Sequence, residues 1–164
     1  MLLINTSQTP PCTQRTLRGF TLIELMVIIA ILGILMAVGT PSLHTWLTNK
    51  QSEAMLSQLL NDLSFARSHA ISNSTDVVIE PGSSWEDGWT VREDSSSIDL
   101  RVATPPEDAT ISASFTGALG FDAYGLASNT GALTLQLAGC TGSRVYQVNL
   151  SVSGQTTVTT SDCP

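Results

Sequence analysis

The chain has 164 residues, a formal net charge of -7, and only 13% charged residues. This length suits one ordinary domain and excludes a large multidomain enzyme. The acidic balance excludes a general nucleic-acid binder, which needs clustered Lys and Arg to neutralise phosphates. With 42% hydrophobic residues the chain is expected to fold, and its three cysteines exclude a disulfide-dense miniprotein.

A long uncharged block lies near the N-terminus. Residues 25–39 read LMVIIAILGILMAVG, and extending this run back to Phe20 gives twenty residues with Glu24 as the only charge. A helix of that length spans about 30 Å, the thickness of the hydrocarbon core of a bilayer. Two interpretations are open: a cleavable secretory signal, or a helix that stays in the membrane.

The charges around the block predict its orientation. Arg15 and Arg18 precede it, and Lys50 is the first basic residue after it. Positive charge on the N-terminal side places residues 1–19 in the cytoplasm and the rest of the chain outside. The small residues of 37–39 also fit a signal-peptidase site, which keeps the secretory interpretation open.

Glu24 lies in the first turns of the apolar run, where a charge costs about 2–3 kcal/mol of insertion free energy and so indicates a function. The hexapeptide Gly19-Phe20-Thr21-Leu22-Ile23-Glu24, preceded by Arg18, resembles the class III signal of type IV pilins and pseudopilins. The resemblance implies that a prepilin peptidase cuts between Gly19 and Phe20 and methylates the new amino group of Phe20. A buried Glu24 would then pair with that amino group in the filament, since a buried charge needs a partner. The alternative is a Glu24 that snorkels to the membrane interface.

One helix is predicted from residue 20 to residue 72. Pro41 is expected to bend it by removing a backbone donor, and similar pilins carry a proline there. Beyond Pro41, apolar residues at three- and four-residue spacings predict one apolar stripe on a water-facing helix. The stripe comprises Leu43, Trp46, Leu47, Met55, Leu56, Leu59, Leu60, Leu63, Ala66, Ala70 and Ile71. The residues between them are predicted to face water: Asn49, Lys50, Gln51, Ser52, Glu53, Asn61, Asp62 and Ser68.

After Asn73 the pattern becomes that of short antiparallel strands, rich in β-branched residues and separated by Gly, Pro, Ser and Asp. The predicted strands are 75–80, 88–92, 98–103, 110–115, 132–137, 144–151 and 156–160. Alternation in the sixth strand assigns Val145, Val148, Leu150 and Val152 to one face, with a slip at Tyr146. The helix stripe is expected to cover this sheet.

Three further segments, 61–71, 85–94 and 121–125, resemble the minor pilins of the FimT/FimU kind and the related GspH pseudopilins. His69 stands where that subgroup usually has an acid, and is predicted to be a surface histidine. Trp85 and Trp89 are predicted to pack around a turn; the alternative is exposed aromatics that dock a ligand.

The resemblance implies an α+β type IV pilin fold, in which a long N-terminal helix packs on a C-terminal antiparallel sheet. The implied domains are a removed cytoplasmic prepeptide (1–19), a transmembrane and filament-core helix (20–41), an amphipathic helix (42–73) and a periplasmic β-rich head (74–164).

Cys140 and Cys163 fall in the exported region, where disulfides persist, and are predicted to pair. Cys12 would leave with the prepeptide. We predict no catalytic residue, cofactor or metal site, because the sequence has no phosphate-binding loop, HExxH or Gly-x-Ser-x-Gly. The two histidines, His44 and His69, lie on the helix beside no nucleophile.

The preferred function is a minor pilin of a type IV pilus, serving pilus biogenesis, twitching, adhesion or DNA uptake. The protein would cross the bacterial inner membrane once, with a cytoplasmic N-terminus and a periplasmic head, before entering the filament. Its expected partners are the inner membrane, prepilin peptidase, other major and minor pilins or pseudopilins, and the assembly platform.

Three alternatives remain. The first is a GspH-type minor pseudopilin of a type II secretion system. The second is DNA binding during transformation, since some FimT-like proteins carry Gly-Arg-x-Arg near the C-terminus. The matching stretch here, Gly154-Gln155-Thr156-Thr157, has no arginine, so nucleic acid is not an expected partner. The third is an ordinary secreted β protein cleaved after Gly39.

Overall fold

The structure is a computed structural model that describes residues 19–96 and 98–164, without the side chains of residues 38–41. It consists of two compact units, one ending at Gly39 and one beginning at Thr40, which are described separately. Cys12 and the prepeptide up to Arg18 lie outside the described residues. The predicted bend at Pro41 involves a side chain outside the described part and stays a prediction.

Helix α1 runs from Leu22 to Asn73. It begins after Thr21, whose hydroxyl accepts the backbone N–H of Glu24 at 3.3 Å, as expected of a threonine at an N-cap. It ends at Asn73, and the next residue, Ser74, adopts a left-handed conformation with φ 51°. The predicted helix is therefore confirmed, with both ends shifted by one or two residues.

In the first unit the apolar part of α1 is uncovered. Every large apolar side chain from Leu22 to Met36 is between 40% and 77% exposed. Among the described residues, no helix qualifies alone as a membrane span, although Leu22–Ala37 and Ser42–Asn73 qualify together as one bent pair.

The second unit contains eight strands in two antiparallel sheets, where the sequence predicted one sheet of seven strands. The first sheet has the order β3-β2-β1-β5 and the second β4-β6-β7-β8. All seven predicted ranges overlap a strand; the missed β5 has only three residues. The strands are β1 (Val77–Pro81), β2 (Trp89–Glu93), β3 (Asp99–Ala103), β4 (Ala109–Ala113), β5 (Leu119–Phe121), β6 (Gly131–Leu137), β7 (Val145–Leu150) and β8 (Thr156–Ser161).

One hydrophobic core joins α1 to both sheets. The helix contributes buried side chains at spacings of three and four residues, which confirms the central part of the predicted stripe: Met55, Leu59, Leu63, Ala66 and Ala70. The first sheet adds Val77, Ile79, Trp89, Val91, Leu119 and Phe121, and the second adds Ile111, Leu133, Leu135, Leu137, Tyr146, Val148 and Leu150.

The stripe prediction is wrong at its start, at Ile71, which is 48% exposed, and for two polar residues predicted to face water. Leu43, Trp46 and Leu47 are exposed, because burial along this part of α1 begins only at Thr48. Ser52 and Asp62, predicted to face water, are buried. Both are polar residues whose partners lie on other elements, so the helical pattern could not reveal them.

The predicted faces of β7 also need correction. Tyr146, Val148 and Leu150 are buried, whereas Val145 is only half-buried and Val152 lies exposed beyond the strand. The alternation is regular once Tyr146 is counted as a core residue, so no slip occurs.

Candidate functional site: a processing and assembly segment, and the head behind it

The predicted processing bond lies directly before α1. Gly19 has no side-chain neighbour within 4 Å of its Cβ position, and Phe20 is 78% exposed. The described residues therefore leave this bond open to an enzyme. Cleavage there would create an α-amino group at Phe20, one helical turn before the exposed carboxylate of Glu24.

Glu24 lies in the first turn of α1, where the helix dipole favours a negative charge. Behind it, at positions 25–37, twelve apolar side chains and Gly33 are exposed. Such a surface is stable only in lipid or against other apolar helices. The segment can thus offer one carboxylate and one amine at the head of an otherwise apolar helix.

In the head, Asp62 fixes α1 to the first sheet. Its Oδ2 accepts the indole N–H of Trp89 on β2 at 2.9 Å, and its Oδ1 accepts Arg101 Nη1 from β3 at 3.2 Å. The Arg101 guanidinium also lies 3.9 Å over the ring of Phe65, one turn further along α1.

Trp85 and Trp89 are packing residues. Trp89 is 2% and Trp85 7% exposed, and the Trp85 ring meets Phe115 edge-on with centroids 5.9 Å apart. The predicted packing role is confirmed, and the alternative of exposed aromatics that dock a ligand is wrong.

Arg67 joins two turns at the C-terminal end of α1. Its Nε donates to the carbonyl of Gly125 at 3.1 Å, and its Nη2 donates to the carbonyl of Ser153 at 2.8 Å. The turns approach so closely that a Cβ on Gly154, where φ is +73°, would lie 2.3 Å from the Gly125 carbonyl oxygen. Only glycine fits there.

The stretch Gly154–Thr157, which the sequence analysis compared with Gly-Arg-x-Arg, lines a cleft of about 370 Å³ with Leu63, Ser64, Arg67 and Phe121. Arg67 is the only base lining this cleft among the described residues. Two of its N–H groups already serve turn carbonyls. The cleft therefore presents hydroxyl and amide groups rather than a basic surface.

The start of the buried part of α1 is tied to the loop before β7. Asn49 exchanges two hydrogen bonds of 3.0 Å with Thr141, and Ser52 donates to the carbonyl of Arg144 at 3.2 Å. The Lys50 ammonium, hydrogen-bonded to Glu53, lowers the pKa of that carboxyl. These contacts hold the helix against the second sheet.

Cys140 and Cys163 form a disulfide with their Cα atoms 5.9 Å apart, as predicted. The bond pins the end of the chain, just after β8, to the loop between β6 and β7. Within residues 19–96 and 98–164, no group of three or more His, Cys, Asp and Glu side chains is arranged to hold a metal ion.

His69 is half-buried rather than freely exposed, which corrects the surface prediction. Its Nδ1 lies 3.8 Å from the Glu93 carboxylate on β2, and its ring lies 5.7 Å from that of Phe65. The charged neighbour comes from a different element, so a search along the helix alone could not find it.

Sequence reasoning missed Asp62 and Arg67 as residues that organise the head. Their hydrogen-bond partners lie 27 and 58 or more positions away in the chain. The available signal for Asp62 was its place between two residues of the apolar stripe, Leu60 and Leu63. An acid so close to apolar stripe residues on both sides indicates burial.

The sequence family described as "Type II transport protein GspH" matches residues 56–154, well over half of the chain. The chain belongs to the GspH family. A second motif, described as the prokaryotic N-terminal methylation motif, matches residues 15–40 of this GspH-family protein and contains Gly19, Phe20 and Glu24.

Among named relatives, "Fimbrial protein Q" of Moraxella bovis is 43% identical over 42 residues, which is 26% of this chain and 27% of that protein. The GspH-family chain thus spans about a quarter of that relative's length. Two crystal forms of the Pseudomonas aeruginosa type IV minor pilin FimU share the fold. The first form has a TM-score of 0.52 and is 18% identical, and the match covers 73% of this chain and 91% of FimU. The second form has a TM-score of 0.51 and is 19% identical, and the match covers 68% of this chain and 90% of FimU.

The predicted α+β pilin fold is therefore confirmed, and family and fold are those of structural pilins. The residues matched by the GspH family include Asp62, Arg67, Trp85 and Trp89. The contacts that organise the head therefore lie in the part of the chain that the family describes.

Proposed function

We propose that this GspH-family protein is a minor pilin of a type IV pilus. Prepilin peptidase removes residues 1–19 and methylates Phe20. The subunit waits in the inner membrane with a cytoplasmic N-terminus and a periplasmic head. The assembly platform then draws its apolar helix into a filament of other pilins.

One observation carries the proposal: the methylation motif contains an apolar helical segment whose large side chains from Leu22 to Met36 are 40% to 77% exposed, with a single carboxylate, Glu24, in its first turn. In a membrane the exposed side chains contact lipid, and in a filament they contact neighbouring helices. A carboxylate buried among those helices is costly unless a cation pairs with it. The amino group of Phe20, from the same or a neighbouring subunit, supplies that cation and sets the axial register.

The test replaces Glu24 by glutamine, which keeps the size of the side chain and removes its charge. We expect the Glu24→Gln subunit to be cleaved and methylated normally but to be absent from sheared filaments. The control is Glu86→Gln, an exposed acid in the 3-10 turn Trp85–Asp87 of the head, which should enter filaments like the wild type. Normal incorporation of Glu24→Gln would refute the pairing.

A second candidate is a minor pseudopilin of a type II secretion system, favoured by the match to the family of type II transport protein GspH. The pilus is preferred because the relative from Moraxella bovis and the structural neighbour from Pseudomonas aeruginosa are both named for fimbriae or pili. Deletion of the gene separates the two. The pilus proposal expects loss of surface pili with unchanged exoprotein secretion, and the opposite pattern would favour the pseudopilin.

A further inference from the structure

Four apolar side chains meet on the surface at the C-terminal end of α1, and we call them the turn patch: Ile71, Tyr124, Leu126 and Val152. Tyr124 is 85% exposed, and the other three lie between 46% and 66%. They come from α1, from the β5–β6 loop and from the β7–β8 turn. None of them serves the core or the proposed assembly segment.

The members of the turn patch are contiguous. The Ile71 side chain lies against Gly125, since a Cβ there would be 2.6 Å from Ile71 Cδ1. The backbone N–H of Ala127, next to Leu126, donates to the carbonyl of Val152 at 3.0 Å. The two turns and the helix end thus form one continuous surface.

The loop that carries Tyr124 is held in place before any partner arrives. Asp122 Oδ1 accepts the backbone N–H groups of Tyr124 at 3.0 Å and Leu126 at 2.8 Å. Asp76 Oδ1 accepts the N–H of Ala123 at 3.1 Å, and Arg67 holds the carbonyl of Gly125. A partner would therefore pay little conformational entropy to order this loop.

The charge around the turn patch selects the partner. Asp76 and Asp122 accept backbone N–H groups of the loop, and Asp94 is close to Asp76 because its N–H donates to the Asp76 carbonyl at 3.0 Å. The nearby base, Arg67, directs its bonds to carbonyls of the two turns. The three carboxylates outnumber the one base, so the surroundings of the turn patch favour a guanidinium or ammonium group over a phosphate, and the exposed ring of Tyr124 can receive such a cation over its face.

We propose that the turn patch is a docking surface for a segment of another protein that presents an aliphatic or aromatic side chain flanked by arginine or lysine. Apolar contact with Tyr124 and Leu126 supplies the anchor, and the carboxylates select the flanking cations. This goes beyond the proposed function, because it is a property of the head whether or not the chain enters a filament.

The test uses the full chain in detergent micelles and two short blocked peptides. One has leucine and phenylalanine flanked by arginines, and the other carries glutamates in place of the arginines. We expect the arginine peptide to bind and its affinity to fall as salt rises, and the glutamate peptide not to bind. Equal binding of both peptides, or binding of neither, overturns the proposal.

Variants locate the site. Tyr124→Ala should weaken binding at least about tenfold, as for an aromatic hot spot, whereas Tyr124→Phe should retain it. Asp94→Asn should reduce both the affinity and its salt dependence. The matched control is Val102→Ala, an exposed apolar residue on β3, which should bind like the wild type.

Thermal unfolding should be the same for Tyr124→Ala and the wild type, which excludes misfolding as the cause of lost binding. Two outcomes contradict the proposal outright. One is peptide binding that Tyr124→Ala leaves unchanged. The other is a Tyr124-dependent dimer of the chain in place of peptide binding, which would make a second copy the occupant.

Discussion

Removal of the Asp62 carboxylate tests how the head is held together. Asp62 is 5% exposed and Trp89 is 2% exposed, so Asp62→Ala leaves the indole N–H of Trp89 buried without an acceptor. An unsatisfied buried donor costs about 1–3 kcal/mol. Arg101 also loses its ion-pair partner, but its side chain is 44% exposed and regains water, so this loss is at most about 1 kcal/mol.

We therefore expect Asp62→Ala to lower the free energy of unfolding by about 1–4 kcal/mol. Asp62→Asn keeps an oxygen acceptor for the indole and loses only the charge, so it should cost about 1 kcal/mol. The control is Asp94→Ala, an exposed acid, which should change stability by less than about 0.5 kcal/mol.

The assay is denaturant unfolding of the full chain in detergent micelles, followed by far-UV circular dichroism, because this signal does not depend on Trp89. A double-mutant cycle with Trp89→Phe isolates the hydrogen bond. Two results would contradict this role of Asp62: a free energy of unfolding of Asp62→Ala within about 0.5 kcal/mol of the wild type, or a cycle without coupling between Asp62 and Trp89.

Three further changes probe other contacts of the head. Replacement of Cys140 and Cys163 by serine should lower the free energy of unfolding by about 3 kcal/mol, because the disulfide closes a loop with a sequence separation of 23. Denaturant titration measures this change, and unchanged stability would contradict the prediction. Arg67→Lys should lower the free energy of unfolding by about 1–2 kcal/mol in the same assay, since one ammonium group cannot replace both hydrogen bonds to the carbonyls of Gly125 and Ser153. Unchanged stability would show that these two hydrogen bonds do not stabilise the fold. Burial and the charge of a nearby glutamate raise the pKa of Tyr146 above 10.0. The folded chain then keeps a proton that the unfolded chain releases, so the contribution of Tyr146 to stability should be constant below about pH 10 and fall as pH rises through the folded pKa. Tyr146→Phe should reduce the loss of stability at alkaline pH. The same dependence of the unfolding free energy on pH in wild type and variant would contradict this prediction.

The sequence predicted the elements of the fold better than their arrangement. The helix follows from apolar residues at three- and four-residue spacings, and seven strands follow from β-branched runs between turn residues. Division into two sheets depends on pairings between distant strands, such as β1 with β5, and no local pattern encodes them. A strand as short as β5, with three residues, carries no usable alternation.

The candidate site divides in the same way. The processing segment is local, so its motif could be read directly from Gly19 to Glu24. Asp62 and Arg67 act through partners far along the chain, and a helical pattern classifies both as surface residues. The turn patch also escapes sequence analysis, because its side chains meet only after three separate elements have folded together.

The most direct test of the central proposal is the mass and N-terminal sequence of the mature protein purified from its native membrane. We predict a mature chain that begins at Phe20 and carries one methyl group on its amino nitrogen. A mature chain that begins at Met1, or after Gly39, would contradict it, since no amine would then lie one turn before Glu24.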